Sequence, residues 1–441
     1  MERKIEIVSM EFIKPVSPTP NHLKCFEYSF LDQMAIPFYA PLALFYPPPH
    51  SNYEQAISIN SSRLLVLKKS LSETLTRYYP FAGRIKGVSI ECNDEGAPFY
   101  EAFAHNYEFK SVLRNLDLTK DFLPNTVAEV GSSVFHNSTL YPLLVQVTLF
   151  KCGGMAICMC AFHQVADGAT LYGLANAWAI GSCNELPEFV AAAKFLPPPI
   201  PYVSNGPMLQ FQFTNFFCNE QRVSKLFTFD ASTIASLRVK AMSDDVPVPT
   251  RVEAVSALIW KCVITAGAGA GTGTGASKLA NLVNMRRRFV PPLPDHCVGN
   301  VVAGATACKG ENDDGSDLAT LVNCIRKSLS QLSSKYVEKQ SRDEAIFAIP
   351  YDFMEMTEGL IRGEIALQVS SLCGYKSYVD FGWGKPSWVS SNPRTTTNNV
   401  RLMDSKDCDG IDALICLKDK DIMSKFQQEI ELQLLPFGSV N

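Results

Sequence analysis

Seven consecutive residues, Phe162-His163-Gln164-Val165-Ala166-Asp167-Gly168, carry the side chains best suited to moving a proton. A neutral imidazole titrates close to pH 7, so His163 can accept a proton from a substrate under ordinary conditions. It sits where an apolar strand ends and a helix begins, with a carboxylate four residues on. Asp167 has two roles open to it, pairing with a cation or capping that helix. The bare spacing His-x-x-x-Asp also arises by chance in a chain this long, and a histidine closing a strand is commonly a packed structural side chain. Cys158 and Cys160 lie two apart on the preceding strand and share a face. A fourth ligand with suitable spacing is missing, which argues against a metal.

The second unusual stretch is Asp380-Phe-Gly-Trp-Gly-Lys-Pro386. Its first three letters match the magnesium motif of protein kinases, but no His-Arg-Asp loop or Val-Ala-Ile-Lys strand accompanies them. Gly382 and Gly384 flank Trp383 and point to a turn with unusual dihedrals or a close backbone approach. On physics alone Asp380 reads equally well as part of a structural loop. Gly-x-Ser-x-Gly elbows, zinc-protease motifs and dinucleotide fingerprints are absent from the sequence. By elimination, the chemistry these residues support most easily is general-base catalysis by one histidine, without a covalent intermediate.

The elements that must hold His163 are readable around it. Residues 143–150 and 155–162 read as two strands joined through Gly153-Gly154, and the second runs straight into His163. Residues 169–179 read as the helix that follows, with Leu171, Leu174 and Trp178 inward. Upstream, Ile5 to Val8 is a candidate strand, Leu64, Leu67, Leu71 and Leu75 define a helix over 63–78 stopped by Pro80, and 88–92 is a short strand. The prolines of Phe195-Leu-Pro-Pro-Pro-Ile-Pro201 forbid a helix or a central strand and place a domain crossover within 190–220. Beyond it come a strand over 222–229, a helix capped by Asp230, a buried helix over 251–265, and a Gly/Ala/Thr-rich loop over 266–277. A strand over 279–284, an amphipathic helix from Leu318, strands at 365–370 and 411–417 and a last helix from Asp419 or Asp421 complete a mixed α/β chain.

At 441 residues the chain exceeds one ordinary core and predicts two or three domains. A formal net charge of -4 gives no electrostatic case for nucleic acid or an anionic membrane. The charged start lacks the apolar core of a signal peptide, and the longest apolar run, 34–46, is broken by Pro37 and Pro41. The 14 scattered cysteines read as reduced thiols of a cytoplasmic protein.

Taken together, His163-Gln-Val-Ala-Asp167-Gly168 and Asp380-Phe-Gly-Trp-Gly384 resemble the paired motifs of the BAHD family of plant acyl-CoA-dependent acyltransferases. The resemblance runs through Leu31-Asp-Gln33, Tyr79-Pro-Phe-Ala-Gly-Arg84, Asn176-Ala-Trp178, Ile259-Trp-Lys261, Val283-Asn-Met-Arg286 and Pro291-Pro-Leu-Pro294. Within the family, Ser17-Pro-Thr-Pro20, Leu23-Lys-Cys25, Phe45-Tyr-Pro47 and Asn93-Asp-Glu-Gly96 resemble alkaloid acetyltransferases.

What the resemblance implies is an α/β fold of two similar, chloramphenicol-acetyltransferase-like domains, each a mixed β-sheet flanked by helices, with a channel between them. The expected boundaries are 1–190 for the N-terminal domain, completed by a segment near 370–395, 191–220 for the crossover, and 221–441 for a C-terminal domain carrying the Asp380 to Gly384 loop. His163 would act as general base, with Trp383 donating its indole N–H to the developing oxyanion. Asp167 would hold the His163 turn by pairing with Arg286, and Asp380 would tie its own loop. Gly168, Gly382 and Gly384 are expected to give structural support, and Ile36, Phe38 and Tyr375 to face the acceptor.

The implied co-substrate is acyl-CoA, acetyl-CoA first and malonyl-CoA as the alternative, with no permanently bound cofactor or metal. The implied acceptor is a hydroxyl of a monoterpenoid indole or related alkaloid, with another alcohol as the alternative. The expected state is a cytoplasmic monomer with no nucleic-acid or membrane partner. A binding protein of the same fold that has lost its chemistry is the competing class, and the intact His163, Asp167, Arg286 and Trp383 argue against it.

Overall fold

The computed structural model describes residues 4–49, 53–124, 139–180, 186–189, 223–267, 276–310, 317–338, 356, 359, 365–391, 398–418 and 420–434. The crossover 191–220, most of the Gly-rich 266–277 loop and Asp419 lie outside them. The chain divides into two compact units. Unit 1 comprises Met1–Thr214, Pro294–Asn300 and Tyr375–Pro393; unit 2 comprises Asn215–Leu293, Val301–Gly374 and Arg394–Asn441.

The strands in chain order are β1 (Lys4–Ile13), β2 (Cys25–Glu27), β3 (Tyr39–Tyr46), β4 (Arg84–Lys86), β5 (Ser89–Glu91), β6 (Ala97–His105), β7 (Leu143–Phe150), β8 (Met155–Phe162), β9 (Val223–Phe229), β10 (Ser277–Asn284), β11 (Val302–Lys309), β12 (Ile365–Ser371), β13 (Trp388–Ser390), β14 (Asn399–Asp404) and β15 (Ile411–Leu417). The α-helices are α1 (Phe30–Met34), α2 (Tyr53–Arg77), α3 (Phe109–Arg114), α4 (Gly168–Ile180), α5 (Ala231–Lys240), α6 (Arg251–Thr265), α7 (Leu318–Glu338) and α8 (Lys420–Leu434).

Unit 1 is built on a six-stranded mixed sheet in the order β1-β6-β7-β8-β3-β13, beside a small β2-β5-β4 sheet. β6 and β7 run parallel; the other pairs in the large sheet are antiparallel. All eight residues of β8 are buried, which is why this strand reads as a continuous apolar run rather than an alternation. On the sheet, α4 packs against α2, fixed by the Trp178 Nε1 hydrogen bond to the Leu67 carbonyl at 3.0 Å.

The strand β3 departs from the sequence expectation, which treated 34–46 only as an apolar run broken by prolines. Among the described residues β13 covers only Ala43–Phe45 of β3, so the one described neighbour at Pro41 is β8, a position where a sheet tolerates proline. The short β13 also explains a difference in domain assignment. A segment near 370–395 was expected to complete the N-terminal domain, and Tyr375–Pro393 packs in unit 1, taking with it the Asp380 to Gly384 loop that was also expected in the C-terminal domain. There β13 pairs with β3, and the Tyr46 hydroxyl donates to the Val379 carbonyl at 2.7 Å.

Unit 2 repeats the plan with a six-stranded mixed sheet, β11-β10-β12-β14-β15-β9, whose β10, β12 and β14 are parallel. Its core gathers Trp260, Phe229, Phe426 and Leu258 between the sheet and α5 to α8. Helix α6 starts at a capping box in which Thr250 and Glu253 satisfy each other's backbone N–H groups. Burial raises the Glu253 pKa, but hydrogen bonds from Arg326 on α7 and from Thr250 outweigh it and hold the carboxyl below its usual range.

Candidate active site

The site grows out of the end of β8. At Phe162 the apolar run stops, and the chain leaves the sheet through His163 to Asp167 before α4 begins at Gly168. Both backbone polar groups of His163 are held. Its N–H donates to the Phe38 carbonyl at 2.8 Å, and its carbonyl accepts from Asn300 Nδ2 at 2.7 Å. The imidazole lies against the Phe38 ring, with centroids 4.9 Å apart, and remains partly exposed. The backbone of His163 is thus fixed while the residue stays partly exposed.

Asp167 is buried and caps α4. Its Oδ1 accepts from the Thr170 N–H at 2.9 Å, and its carbonyl accepts from the Leu171 N–H at 2.9 Å. This satisfies first-turn donors that a helix leaves orphaned and puts a negative group at the positive end of the helix dipole. The segment Pro294–Asn300 straps the same turn from outside. Thr170 Oγ1 bonds Gly299 twice, to its carbonyl at 3.2 Å and from its N–H at 3.1 Å. Gly299 has φ 119, a conformation that any side chain would strain.

Beneath the turn lies a carboxylate that the sequence reading quoted within Leu31-Asp-Gln33 but gave no role. Asp32 is fully buried at the third position of α1. Its Oδ2 accepts from Ser29 N–H at 3.0 Å and Ser29 Oγ at 2.6 Å; its Oδ1 accepts from Asn300 N–H at 2.6 Å and Asn300 Nδ2 at 2.9 Å. Burial pushes its pKa up to about 6, against the lowering effect of Ser29 and Asn300. Ser29-x-x-Asp32 is a capping-box signature that marks a helix start; nothing local in the sequence marks Asn300.

The other expected site residues fall in several places. Arg286 belongs to unit 2, fully buried at the head of a short 3-10 turn, and both its N–H and Nη1 donate to Asn284 Oδ1 at 3.1 and 3.2 Å. Ile36 is buried between α1 and β3. Tyr375 packs on α4, its ring 6.0 Å from that of Tyr172 and its carbonyl 3.4 Å from Asn176 Nδ2. Of the three acceptor-facing candidates, Phe38 is brought onto the imidazole.

Trp383 requires correction. The indole was expected at the oxyanion, yet it packs beside Tyr46, with centroids 6.1 Å apart, and stacks on Phe381 at 5.7 Å. His163 meets Phe38 at the other end of β3. The seven steps from Tyr39 to Tyr46, at a strand rise of roughly 3.4 Å per residue, separate the two ends by about 24 Å. Trp383 therefore lies far from the His163 imidazole. Asp380, expected to tie its own loop, is exposed, and its Oδ1 accepts the N–H groups of Gly382 at 2.8 Å and Gly384 at 2.9 Å. Both glycines have positive φ, 99° and 100°, so the carboxylate closes a tight loop that only glycine adopts readily.

Substituting Asp380 by alanine should thus cost stability rather than chemistry. We expect a loss of about 1–3 kcal/mol from two charge-assisted hydrogen bonds at an exposed loop, with kcat of the folded fraction within threefold of the parent. Calorimetry beside steady-state assays checks this. A hundredfold fall in kcat at unchanged stability would contradict the placement.

Among the described residues no group of three or more His, Cys, Asp or Glu side chains gathers to hold a metal ion. Cys158 and Cys160 are buried in β8, and burial pushes both thiols up, which keeps them protonated.

Two units, each a mixed sheet flanked by helices, with a partly exposed histidine where a central strand gives way to a helix, make the two-domain α/β fold of coenzyme A-dependent acyltransferases. The crystal structure of vinorine synthase matches it with a TM-score of 0.77 at 31% identity, covering 96% of each chain. The chain belongs to the BAHD acyltransferases, for a family model described as Transferase family matches residues 3–433. A limonoid 7-O-acetyltransferase of Citrus sinensis is 34% identical over 99% of this chain and 98% of its own. The stemmadenine O-acetyltransferase of Catharanthus roseus is 32% identical over 96% of each. As a member of this family, the protein is an acyltransferase that uses acyl-CoA as co-substrate.

Proposed function

We propose that this acyltransferase moves an acetyl group from acetyl-CoA to a hydroxyl of a bulky polycyclic alkaloid, with His163 as general base. The observation that carries the mechanism is the His163 turn: its backbone is anchored on both sides while its ring stays partly exposed against Phe38. In the proposed step the imidazole takes the proton of the acceptor hydroxyl as that oxygen bonds to the thioester carbonyl carbon. The tetrahedral adduct then collapses, the C–S bond breaks, and the imidazolium returns the proton to the leaving thiolate. No covalent acyl-enzyme forms, so both substrates are bound together. Asp167 contributes by capping α4 and fixing the turn, not by touching substrate.

Acetyl as the group transferred is supported by the O-acetyltransferase relatives, and an alkaloid acceptor by stemmadenine O-acetyltransferase and vinorine synthase. The limonoid 7-O-acetyltransferase, at 34% identity, supports a second reading in which the acceptor is an oxygenated triterpenoid alcohol. We place the reaction in the cytoplasm, carried out by a monomer; no described helix is long and apolar enough to cross a membrane.

The test is thiol release from acetyl-CoA and malonyl-CoA across a panel of alkaloid, triterpenoid and simple alcohols, with products identified by mass. Acetylation of an alkaloid alcohol is the expected result. Turnover confined to triterpenoid alcohols would move the acceptor to the second reading, and turnover with malonyl-CoA alone would overturn the acetyl assignment.

A further inference from the structure

Among the described residues no cation pairs with Asp32, and a buried carboxylate so placed asks for an explanation. Asp32 is 0% exposed, and the four hydrogen bonds it accepts all come from uncharged donors of Ser29 and Asn300. Capping α1 does not account for it. That helix is five residues long, and Ser29 uses only one of the two carboxylate oxygens. The other oxygen is given over to Asn300, 268 positions away in sequence.

The donor geometry explains why a carboxylate stands there. Four N–H and O–H groups converge on one side chain, and a group that only accepts, through two oxygens, satisfies all of them. Asn300 is buried too, and the two hydrogens of its Nδ2 serve two acceptors: Asp32 Oδ1 at 2.9 Å and the His163 carbonyl at 2.7 Å. Asp32 therefore sets the plane of the Asn300 amide. That plane in turn sets the His163 carbonyl, while Phe38 holds the His163 N–H. With both peptide groups of the residue fixed, the direction of its Cα–Cβ bond is fixed, and the imidazole swings from that fixed root against the Phe38 ring.

We propose that Asp32 and Asn300 are positioning residues for acyl transfer, acting through the backbone of His163. The inference rests on the reading of His163 as general base. Neither residue touches substrate. Their work is to hold the imidazole within the narrow range of orientations that in-line proton transfer requires, a role usually carried by packed, hydrogen-bonded neighbours of a reacting group.

The full chain is assayed with acetyl-CoA and the alcohol that gives the highest turnover in the panel above. Asp32→Ala and Asn300→Ala should each lower kcat on the order of 10²-fold, the cost of a misplacement near 1 Å, with KM for acetyl-CoA within threefold. The double variant should be no slower than the slower single, because both act through one chain of contacts. Asp32→Asn keeps an oxygen for Asn300 and should recover kcat to within tenfold of the parent. A purely structural role would move the unfolding temperature but not this pattern of non-additive kcat loss and rescue.

Asn300→Ala within twofold of the parent, multiplicative losses in the double variant, or a raised KM at unchanged kcat would overturn the proposal. If Asp32→Ala does not fold, Asn300→Ala and Asp32→Asn carry the same decision. His163→Ala separates the two readings. Should that variant keep its turnover, the general-base reading fails; should it be inactive while Asn300→Ala is not, only the positioning role fails.

Discussion

His163→Ala is expected to lower kcat by roughly 10²- to 10⁴-fold, the range that a positioned general base supplies, while leaving a folded protein that still binds acetyl-CoA. The fold should survive because neither anchor of this residue involves its side chain. The N–H bond to Phe38 and the carbonyl bond from Asn300 belong to the backbone and remain available to alanine. Among what alanine loses is the ring contact with Phe38, worth about 0.5–1.5 kcal/mol as an aromatic pair. The partly exposed site lets water occupy the space left behind. Equilibrium dialysis with acetyl-CoA, calorimetry and single-turnover acyl transfer read the three quantities separately. Transfer within tenfold of the parent would exclude His163 as the base.

The largest stability effect is expected at Trp178. Replacing it by alanine should destabilise unit 1 by about 3–5 kcal/mol, the usual cost of emptying a tryptophan site in a core. At about 2–4 °C per kcal/mol for a body of this size, the unfolding temperature should fall by on the order of 10 °C. The side chain is fully buried in the last turns of α4 and ties that helix to two partners. Its indole N–H reaches the Leu67 carbonyl of α2 at 3.0 Å, and its ring makes a T-shaped contact with that of Phe381, centroids 4.8 Å apart. Leu67 is itself fully buried, so the cavity opens between helices that have no solvent to fill it. Below the transition, kcat should stay within a few-fold of the parent, because the N-terminal end of α4 is held independently by Asp167 and Gly299. A kcat loss as large as that of His163→Ala, in protein still folded, would show that α4 moves as one body and that this separation is wrong.

How legible the molecule was follows from how local each signal is. The His163 turn is readable because an unbroken apolar strand, a polar stop and a glycine-opened helix lie within about 25 consecutive residues. Helix α6 and strands β7, β8 and β15 have the expected bounds for the same reason. Strand β3 was hidden by Pro37 and Pro41, since whether a proline fits a strand depends on which neighbours the strand has at that level. Trp383 was misplaced because the pairing of two sequence motifs says nothing of the distance between them. That distance is set by the length of β3 and the register of β13. Asp32 and Asn300 lay beyond reach for a different reason: a hydrogen-bond network spanning 268 positions leaves no periodicity behind.

The stitching of β13 onto β3 also imposes an order in time. Residues 43–45 of β3 obtain their second neighbour only when residues 388–390 exist, about 340 positions further along the chain. At roughly 5–20 residues per second on the ribosome, that is a wait of some tens of seconds. Throughout it, the almost wholly apolar Tyr-Ala-Pro-Leu-Ala-Leu-Phe-Tyr strand presents an open edge of unpaired backbone groups. The nascent first unit is therefore exposed to edge-to-edge association for that time, and a fragment that stops short of residue 388 keeps that edge open.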